Sequence, residues 1–322
     1  MFKLRLVLDR ELNAASNTLA VTGKTELLPV RCDLYMSKDK PAQWIRKPKA
    51  FTVVRCHAYT PENTTLYALA SIDINSDMGE SFSAYKIGED EQLVEYITSA
   101  NLACGFHGGD PPIMEKTVKL CKERRINIGA HPSFPDLQGF GRRAMEISVH
   151  ELHSILLYQV GALEAIARVG GMQVYHIKPH GALYNIAFSR EDYAETIANV
   201  AKELNKVLLA PYNSAMARAA SRIGVKVAFE AFADRRYMQD GSLVPRSQEG
   251  AVIRDPEQAA EYALRIAEGE EIKSIDGKNL KIIANSICIH SDTPGAAAIA
   301  KSVRRRLDSA GIKVLSIREI IG

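Results

Sequence analysis

From residue 71 to the C-terminus, short apolar runs alternate with longer amphipathic stretches, a pattern typical of repeated strand and helix units. The predicted strands are Ser71 to Asn75, Asn101 to Cys104, Asn127 to Ala130, Gln173 to Ile177, Val207 to Leu209, Lys226 to Phe229, Ser286 to His290 and Lys313 to Ser316. Seven or eight such units over about 250 residues favour a closed or nearly closed β/α barrel. An open, doubly wound sheet is the alternative.

Helix start signals lie between these strands. Asp110 precedes a proline and is predicted to cap a helix, as is Asp255 before another proline. Ser148 and Glu151 have the spacing of a capping box. Helices at these places would return the chain to parallel strands.

Residues 1–70 lack a sustained period of 2 or 3.6 and hold 11 Lys/Arg against 6 Asp/Glu. Gly23, Lys24 and Thr25 spell the end of a phosphate-binding loop, but Thr18 stands where its first glycine is required. We interpret residues 1–70 as a poorly patterned N-terminal extension, which could be disordered or non-native, and residues 71–322 as the main domain.

The composition indicates an ordinary globular protein. The chain has 322 residues, 46% hydrophobic and 25% charged, with a net charge of +3. No apolar stretch is long enough to span a bilayer, and charge interrupts the opening MFKLRLVLDRELN early, so we expect a cytoplasmic protein that binds neither membranes nor nucleic acid. Its five cysteines form no CxxC pair and are expected to be thiols.

Ionisable residues and glycines cluster where one predicted strand after another ends. Since these strand ends share one mouth in a β/α barrel, we expect the residues to converge on a single pocket. In chain order they include Asp73, Asn75, Asp77, Glu80, Asn101, His107, His131, Arg142, His176, Lys178, His180, Glu230, Asp234, Arg235, His290 and Asp292.

Four histidines in this set follow strands within glycine- or proline-rich turns. They are His107, His131, His180 and His290. Imidazole is the side chain best suited to move protons near neutral pH, so four such residues indicate a catalytic site. By contrast, His150 and His153 lie on a polar helix start and are expected to be solvated, while Cys104 and Cys288 are expected to be core thiols.

Residues 71–322 resemble the LamB/YcsF family, which is identified with the A subunit of prokaryotic 5-oxoprolinase. The resemblance covers about 250 residues and rests on the blocks DINSDMGESF, NLACGFHGGDP, GAHPSFPDLQGFGRR, KPHGALYN, EAFADRRYMQDGSLVPRSQEGAVI and ICIHSDTP. It implies a seven-stranded β/α barrel of the glycoside hydrolase/deacetylase type. It also implies cleavage of 5-oxoproline to L-glutamate coupled to ATP hydrolysis, with 5-oxoprolinase subunits B and C as partners.

Such a reaction needs a water-activating base and a clamp for phosphate or carboxylate, because an amide carbonyl is a poor electrophile until its oxygen is phosphorylated. The candidate catalytic residues are Asp73, Asp77, Glu80, His107, His131 and His180. The candidate substrate- or phosphate-binding residues are Asn75, Asn101, Arg142, Lys178, Glu230, Asp234, Arg235, Arg246, His290 and Asp292. ATP is the expected cosubstrate, with a divalent cation possible as Mg-ATP, and it could bind this chain or one of the partners. No residue is assigned to a resident metal.

Two other functions stay open. A metal-dependent deacetylase or amidohydrolase could hold a cation with Asp77, His107 and His131, although the chain contains no HxxxH. Alternatively, the mouth could belong to a non-catalytic subunit that binds a small carboxylate. The polar segment from Asp234 to Gly250 is a candidate lid in each case.

Overall fold

The computed structural model describes residues 7–13, 18–24, 29–34, 56–58 and 71–322. The chain divides into two compact units, Met1–Ala68 and Leu69–Gly322. In the first unit, β1 (Val7–Asn13), β2 (Thr18–Lys24), β3 (Pro29–Leu34) and β4 (Cys56–Ala58) pair in that order as an antiparallel sheet. Gly23 and Lys24 belong to β2, and Thr25 lies outside the described residues. The interpretation of residues 1–70 as an extension that could be disordered or non-native stays a prediction.

The second unit contains a closed parallel barrel of seven strands. In spatial order they are β5 (Ser71–Met78), β6 (Ser99–Ala103), β7 (Asn127–His131), β8 (Val174–Ile177), β9 (Val207–Ala210), β10 (Val227–Phe232) and β13 (Ser286–His290). The pairing of β13 with β5 closes the barrel, from Ser286 opposite Asp73 to His290 opposite Asp77. This closure confirms the predicted barrel and excludes the open sheet.

The eighth predicted strand has a different role. It is shortened to β14 (Lys313–Val314), which pairs with the first two residues of β5 before β13 takes over. It therefore extends the sheet at the lower end without entering the ring of seven. A separate antiparallel pair, β11 (Glu271–Lys273) and β12 (Asn279–Lys281), lies between β10 and β13 in sequence.

Helices lie between the strands of this unit and after the last of them. They are α1 (Asp90–Leu93), α2 (Pro111–Arg124), α3 (Val149–Val169), α4 (Gly181–Ile186), α5 (Glu191–Glu203), α6 (Ala215–Ile223), α7 (Pro256–Ala267), α8 (Ala296–Ser309) and α9 (Ile317–Ile321). The predicted caps are present, because Asp110, Ser148 and Asp255 each accept a hydrogen bond from a first-turn backbone N–H. Across the barrel and the strands before it, the structure contains no helix long and apolar enough to cross a membrane.

The inside of the barrel is polar. Alternate residues of β5 place Asp73, Asn75 and Asp77 in hydrogen bonds across the interior, while Ile72 and Ile74 join the buried apolar cluster. β/α barrels usually fill this space with branched apolar side chains. A polar interior requires that nearly every donor and acceptor find a partner, so the interior is also a hydrogen-bond network.

Candidate active site

A cavity of about 380 Å³ opens at the C-terminal ends of the barrel strands. The predicted site residues in its wall are Asp77, His131, Arg142, Lys178, His180, Arg235, Arg246 and His290. Residues 241–246 of the candidate lid also line it, and their movement stays a prediction. The expected convergence of strand ends is therefore observed for seven of these eight residues, and the eighth, Arg246, belongs to the candidate lid.

An ion cluster forms the floor of the cavity. Lys178 Nζ donates to Asp77 Oδ1 at 2.8 Å and lies 2.9 Å from Glu230 Oε1. Glu230 Oε1 has no directed hydrogen bond, so its contact with Lys178 is electrostatic. The second oxygen, Glu230 Oε2, accepts from the Tyr184 hydroxyl at 2.7 Å. One buried ammonium is thus shared by two buried carboxylates.

This cluster keeps its charges despite burial. Burial alone would raise the pKa of Asp77, but the neighbouring His131 and Lys178 outweigh it and hold that pKa well below its usual value. Burial opposes the charged form of Lys178, but the neighbouring charges, led by Asp77, raise its pKa well above normal. The site therefore presents a permanent cation beside a permanent anion at neutral pH.

A second cluster lies beside it and contains Glu80 with three histidines. Glu80 Oε1 is 3.1 Å from His107 Nε2, 3.2 Å from His180 Nδ1 and 4.0 Å from His131 Nε2. The rings of His107 and His180 stack with their centroids 3.7 Å apart. All four side chains are buried, but only His131 and His180 reach the cavity wall.

Burial sets the protonation of His107. Burial, reinforced by His180, lowers the pKa of His107 to about 3, so its ring is neutral at physiological pH. For Glu80 burial acts in the opposite direction, but the hydrogen bond from His107 and the nearby His180 hold its pKa well below the usual value. His107 is therefore a neutral donor to an ionised Glu80 and lies behind the cavity wall.

The fourth histidine of the mouth is oriented by a buried carboxylate. His290 Nδ1 lies 2.9 Å from Asp234 Oδ1, and the Thr293 hydroxyl donates to the other oxygen, Asp234 Oδ2, at 3.0 Å. Although burial would raise the pKa of Asp234, the interaction with His290 lowers it. An ionised Asp234 fixes the proton of His290 on Nδ1 and leaves Nε2 as an acceptor.

Cationic side chains line the outer part of the cavity. Asp292 connects two of them, with Arg142 Nη2 at 2.5 Å and Arg246 Nη2 at 3.5 Å. Arg235 donates from Nη2 to the Val244 carbonyl at 2.6 Å, and its buried Nε has no partner among the described residues. Burial, with Arg246 nearby, lowers the pKa of Arg235 to about 10, so it stays cationic at neutral pH. This rim suits an anion such as a carboxylate or phosphate.

Three predicted site residues lie below the cavity instead of in its wall. Asp73 accepts hydrogen bonds from three hydroxyls near the lower end of the barrel. Asn75 donates to Ser286 Oγ at 2.7 Å, and Asn101 donates to Asn75 Oδ1 and Asp77 Oδ1 at 2.7 and 2.9 Å. Asn101 therefore supports Asp77 from beneath. Asp73 lies deeper in the barrel, two inward-facing positions of β5 before Asp77.

Four residues that the structure places in or under the site were given no catalytic or binding role from the sequence. They are His176, Tyr184, Phe232 and Cys288. Phe232 stacks on His290 with the ring centroids 5.2 Å apart, and Cys288 Sγ lies 3.0 Å from Lys178 Nζ. His176, Phe232 and Cys288 are each two positions from an assigned residue on the same strand or its continuation, so the period of two was the signal that could have found them.

Among the described residues, two groups of side chains have donor atoms close enough together to hold a metal ion. One is Glu80, His107, His131 and His180, and the other is Asp77, Cys288 and His290. Burial raises the pKa of the Cys288 thiol well above normal, which disfavours the thiolate that a metal would need. Of these two, the histidine-rich group has the more suitable chemistry.

Comparison with known proteins places this geometry in a family. The LamB/YcsF family model matches residues 72–322. The chain is 45% identical over 253 residues to the 5-oxoprolinase A subunit of Pyrococcus abyssi, covering 78% of this chain and 99% of that protein. Its identity to the protein of the same name from Coprothermobacter proteolyticus is 48% over 252 residues, covering 78% and 97%.

A solved structure gives the same result. The lactam utilization protein of Thermus thermophilus superposes with a TM-score of 0.73 at 40% identity, covering 77% of this chain and all of that one. The residues matched by the family model contain the barrel and the site described above. The chain belongs to the LamB/YcsF family.

Proposed function

We propose that this chain is the A subunit of an ATP-dependent 5-oxoprolinase, which opens 5-oxoproline to L-glutamate while ATP is hydrolysed to ADP and phosphate. The names of the relatives support this, since both 5-oxoprolinase proteins are matched over almost their whole length. The observation in this chain that carries the proposal is the cavity, which combines an oriented histidine, a buried ion cluster and a cationic rim.

The cavity suits a small, singly charged lactam. Its volume of about 380 Å³ lies toward the lower end of the usual range for small-molecule sites. Arg142 and Arg246 at the rim would pair with the substrate carboxylate. Phe232 and Tyr237 offer apolar faces to the ring. In this arrangement the amide group of the lactam points toward Lys178 and His290.

The proposed chemistry begins with transfer of the γ-phosphoryl group of ATP to the lactam oxygen, which releases ADP. Water then adds to the activated carbon and loses a proton to a base, and the carbon–nitrogen bond breaks to give an amine and an acyl phosphate. A second water hydrolyses the acyl phosphate to carboxylate and phosphate. One lactam, one ATP and two waters thus give glutamate, ADP and phosphate.

His290 is the base that the geometry favours for the first water. Its Nδ1 proton is held by Asp234, and its ring lies in the cavity wall. A carboxylate in that position orients the imidazole and stabilises the imidazolium that forms. We expect Lys178 to stabilise negative charge on the lactam or phosphoryl oxygen. Proton transfer by His107 and His180 stays a prediction from the sequence.

The test uses this chain together with the B and C subunits encoded in the same genome. Glutamate and ADP are measured from 5-oxoproline and ATP, and each component is omitted in turn. We expect equal amounts of both products and strict dependence on this chain. Absence of glutamate from a complex that demonstrably assembles would refute the proposal.

A matched pair of variants tests the assigned base. We expect His290→Asn, which can still donate to Asp234, to lower turnover by about 10² to 10⁴, the usual contribution of a general base. His153→Asn is the control, because His153 is half-buried on α3 and its one ion-pair partner among the described residues is Glu203 at the surface. Unchanged turnover with weaker substrate binding in His290→Asn would favour the non-catalytic carboxylate-binding subunit.

A further inference from the structure

The backbone fixes the protons of two neighbouring histidines. His131 Nδ1 lies 2.8 Å from the Lys178 carbonyl, and His180 Nε2 lies 2.9 Å from the Phe140 carbonyl. Because a carbonyl oxygen only accepts hydrogen bonds, each of these nitrogens carries a proton. In the neutral rings, the remaining nitrogens, His131 Nε2 and His180 Nδ1, are therefore unprotonated.

These two unprotonated nitrogens face each other across 2.9 Å. Glu80 Oε1 approaches the same point, 3.2 Å from His180 Nδ1 and 4.0 Å from His131 Nε2. All three atoms present lone pairs, and all three side chains are at least 96% buried. Three converging lone pairs in a buried site repel one another unless a cation lies among them.

The distances fit a metal ion. Zinc binds histidine nitrogen and carboxylate oxygen at about 2.0–2.2 Å, so tetrahedral neighbours are separated by about 3.3–3.6 Å. The observed separations of 2.9, 3.2 and 4.0 Å bracket that range. The rings of His131 and His180 are nearly perpendicular, at 87°, so their planes intersect and one ion can lie in both.

His107 has a different geometry, although it belongs to the same cluster. Its ring is parallel to that of His180 within 3°, with the centroids 3.7 Å apart. A metal ion lies in the plane of the imidazole that binds it, and two stacked planes do not intersect nearby. His107 is therefore a positioning residue, which stacks on His180 and donates from Nε2 to Glu80 at 3.1 Å.

We propose that Glu80, His131 and His180 bind one divalent transition-metal ion, with Zn²⁺ as the probe, and that the Lys178 and Phe140 carbonyls orient the two imidazoles. Two imidazoles and one carboxylate are a donor set typical of such ions. Three protein ligands leave a position free, and His131 and His180 line the cavity. A site of this kind binds water and lowers the pKa of that water. The inference does not rest on the proposed function, and its ligands differ from the Asp77, His107 and His131 set considered from the sequence.

The experiment measures metal binding by the full chain without substrate. The protein is stripped with chelator and titrated with Zn²⁺ by calorimetry, and with Co²⁺ by visible absorption, which reports a tetrahedral site. We expect one ion per chain, with a Kd for Zn²⁺ below about 1 µM. If no Zn²⁺ binds at millimolar concentration, the proposal is overturned. The cation between the two histidines would then be a proton that they share.

Four variants locate the ion, and each is first checked for folding by circular dichroism. We expect His131→Ala and His180→Ala to weaken Zn²⁺ binding at least about 100-fold, and His107→Phe, which keeps the stacked ring, about 10- to 100-fold. His290→Ala is the matched control in the same mouth, because it removes the metal-binding potential of the Asp77, Cys288 and His290 group only. Loss of binding in His290→Ala with retention in His131→Ala would place the ion elsewhere and overturn the assignment.

Discussion

Asp73 provides a test of how burial in the barrel interior changes the pKa of a carboxyl group. Its side chain is fully buried and accepts from Thr98 Oγ1 at 2.8 Å, Ser99 Oγ at 2.6 Å and the Ser286 hydroxyl. Burial raises the pKa of Asp73 from 3.8 to about 6, because these hydroxyls offset only part of the loss of water. Asp73→Asn removes the charge and keeps the shape of the side chain.

The size and sign of the effect follow from that pKa. Between pH 4 and pH 6 the folded protein keeps the Asp73 proton and the unfolded chain does not, so the free energy of unfolding falls as pH rises. A pKa higher by about two units, at about 1.4 kcal/mol per unit, corresponds to about 3 kcal/mol. This stabilisation is fully present below pH 4 and is lost as the pH rises through 6. Asp73→Asn has no carboxyl group at this position, so its free energy of unfolding does not include this fall with pH.

The assay is chemical unfolding of the wild type and Asp73→Asn between pH 4 and pH 7.5. We expect the free energy of unfolding of the variant, relative to wild type, to increase by about 2–3 kcal/mol across this range. The constant cost of replacing a carboxylate by an amide cancels in that comparison. A difference that does not change with pH would show that Asp73 titrates normally, and the reasoning would be refuted.

Two further predictions concern packing and charge. Alanine at Gly129 places a Cβ against the His176 ring, which is held by a 2.7 Å hydrogen bond to Asn101. We therefore expect Gly129→Ala to lower the free energy of unfolding by about 3 kcal/mol, measured by thermal or denaturant unfolding. Gly161→Ala, in an open position on α3, is the control, and we expect it to raise the free energy of unfolding by about 1 kcal/mol. We expect Lys178→Met to cost about 3–5 kcal/mol, because two buried carboxylates lose their cation, and the double variant with Glu230→Gln to be more stable than Lys178→Met alone. Equal stability of the single and double variants would contradict the shared ion pair.

Much of the fold could be predicted because the signals are local. Each barrel strand is a short segment with apolar residues at alternate positions or throughout, and the caps at Asp110, Ser148 and Asp255 mark helix starts that the structure contains. The role of Lys313 to Ser316 could not be predicted in this way. Its apolar pattern resembles that of the other strands, but membership in the ring depends on which strand reaches β5 first, and β13 pairs with five residues of β5 where β14 pairs with two.

The site was harder to predict, because the sequence shows which strand end carries a residue but not how deep in the barrel its side chain lies. Asp73, Asn75 and Asp77 alternate along β5 and all face inward, yet only Asp77 reaches the cavity. Sequence also does not distinguish the histidine at the wall from the one behind it. His107 and His180 stack on each other, and the Phe140 carbonyl, which comes from another loop, fixes the proton of His180.

The hydrogen bonds deep in the barrel interior also fix the position of a residue at the mouth. Asn101 bonds both Asn75 and Asp77, its own oxygen accepts from His176 Nε2 at 2.7 Å, and Asn75 continues the chain to Ser286. Apolar packing is non-directional and tolerates small shifts between strands, whereas these hydrogen bonds are satisfied in one register. A slip of one residue in β5 would turn Asp77 out of the barrel. The buried network below the cavity therefore holds Asp77 where it can bind Lys178.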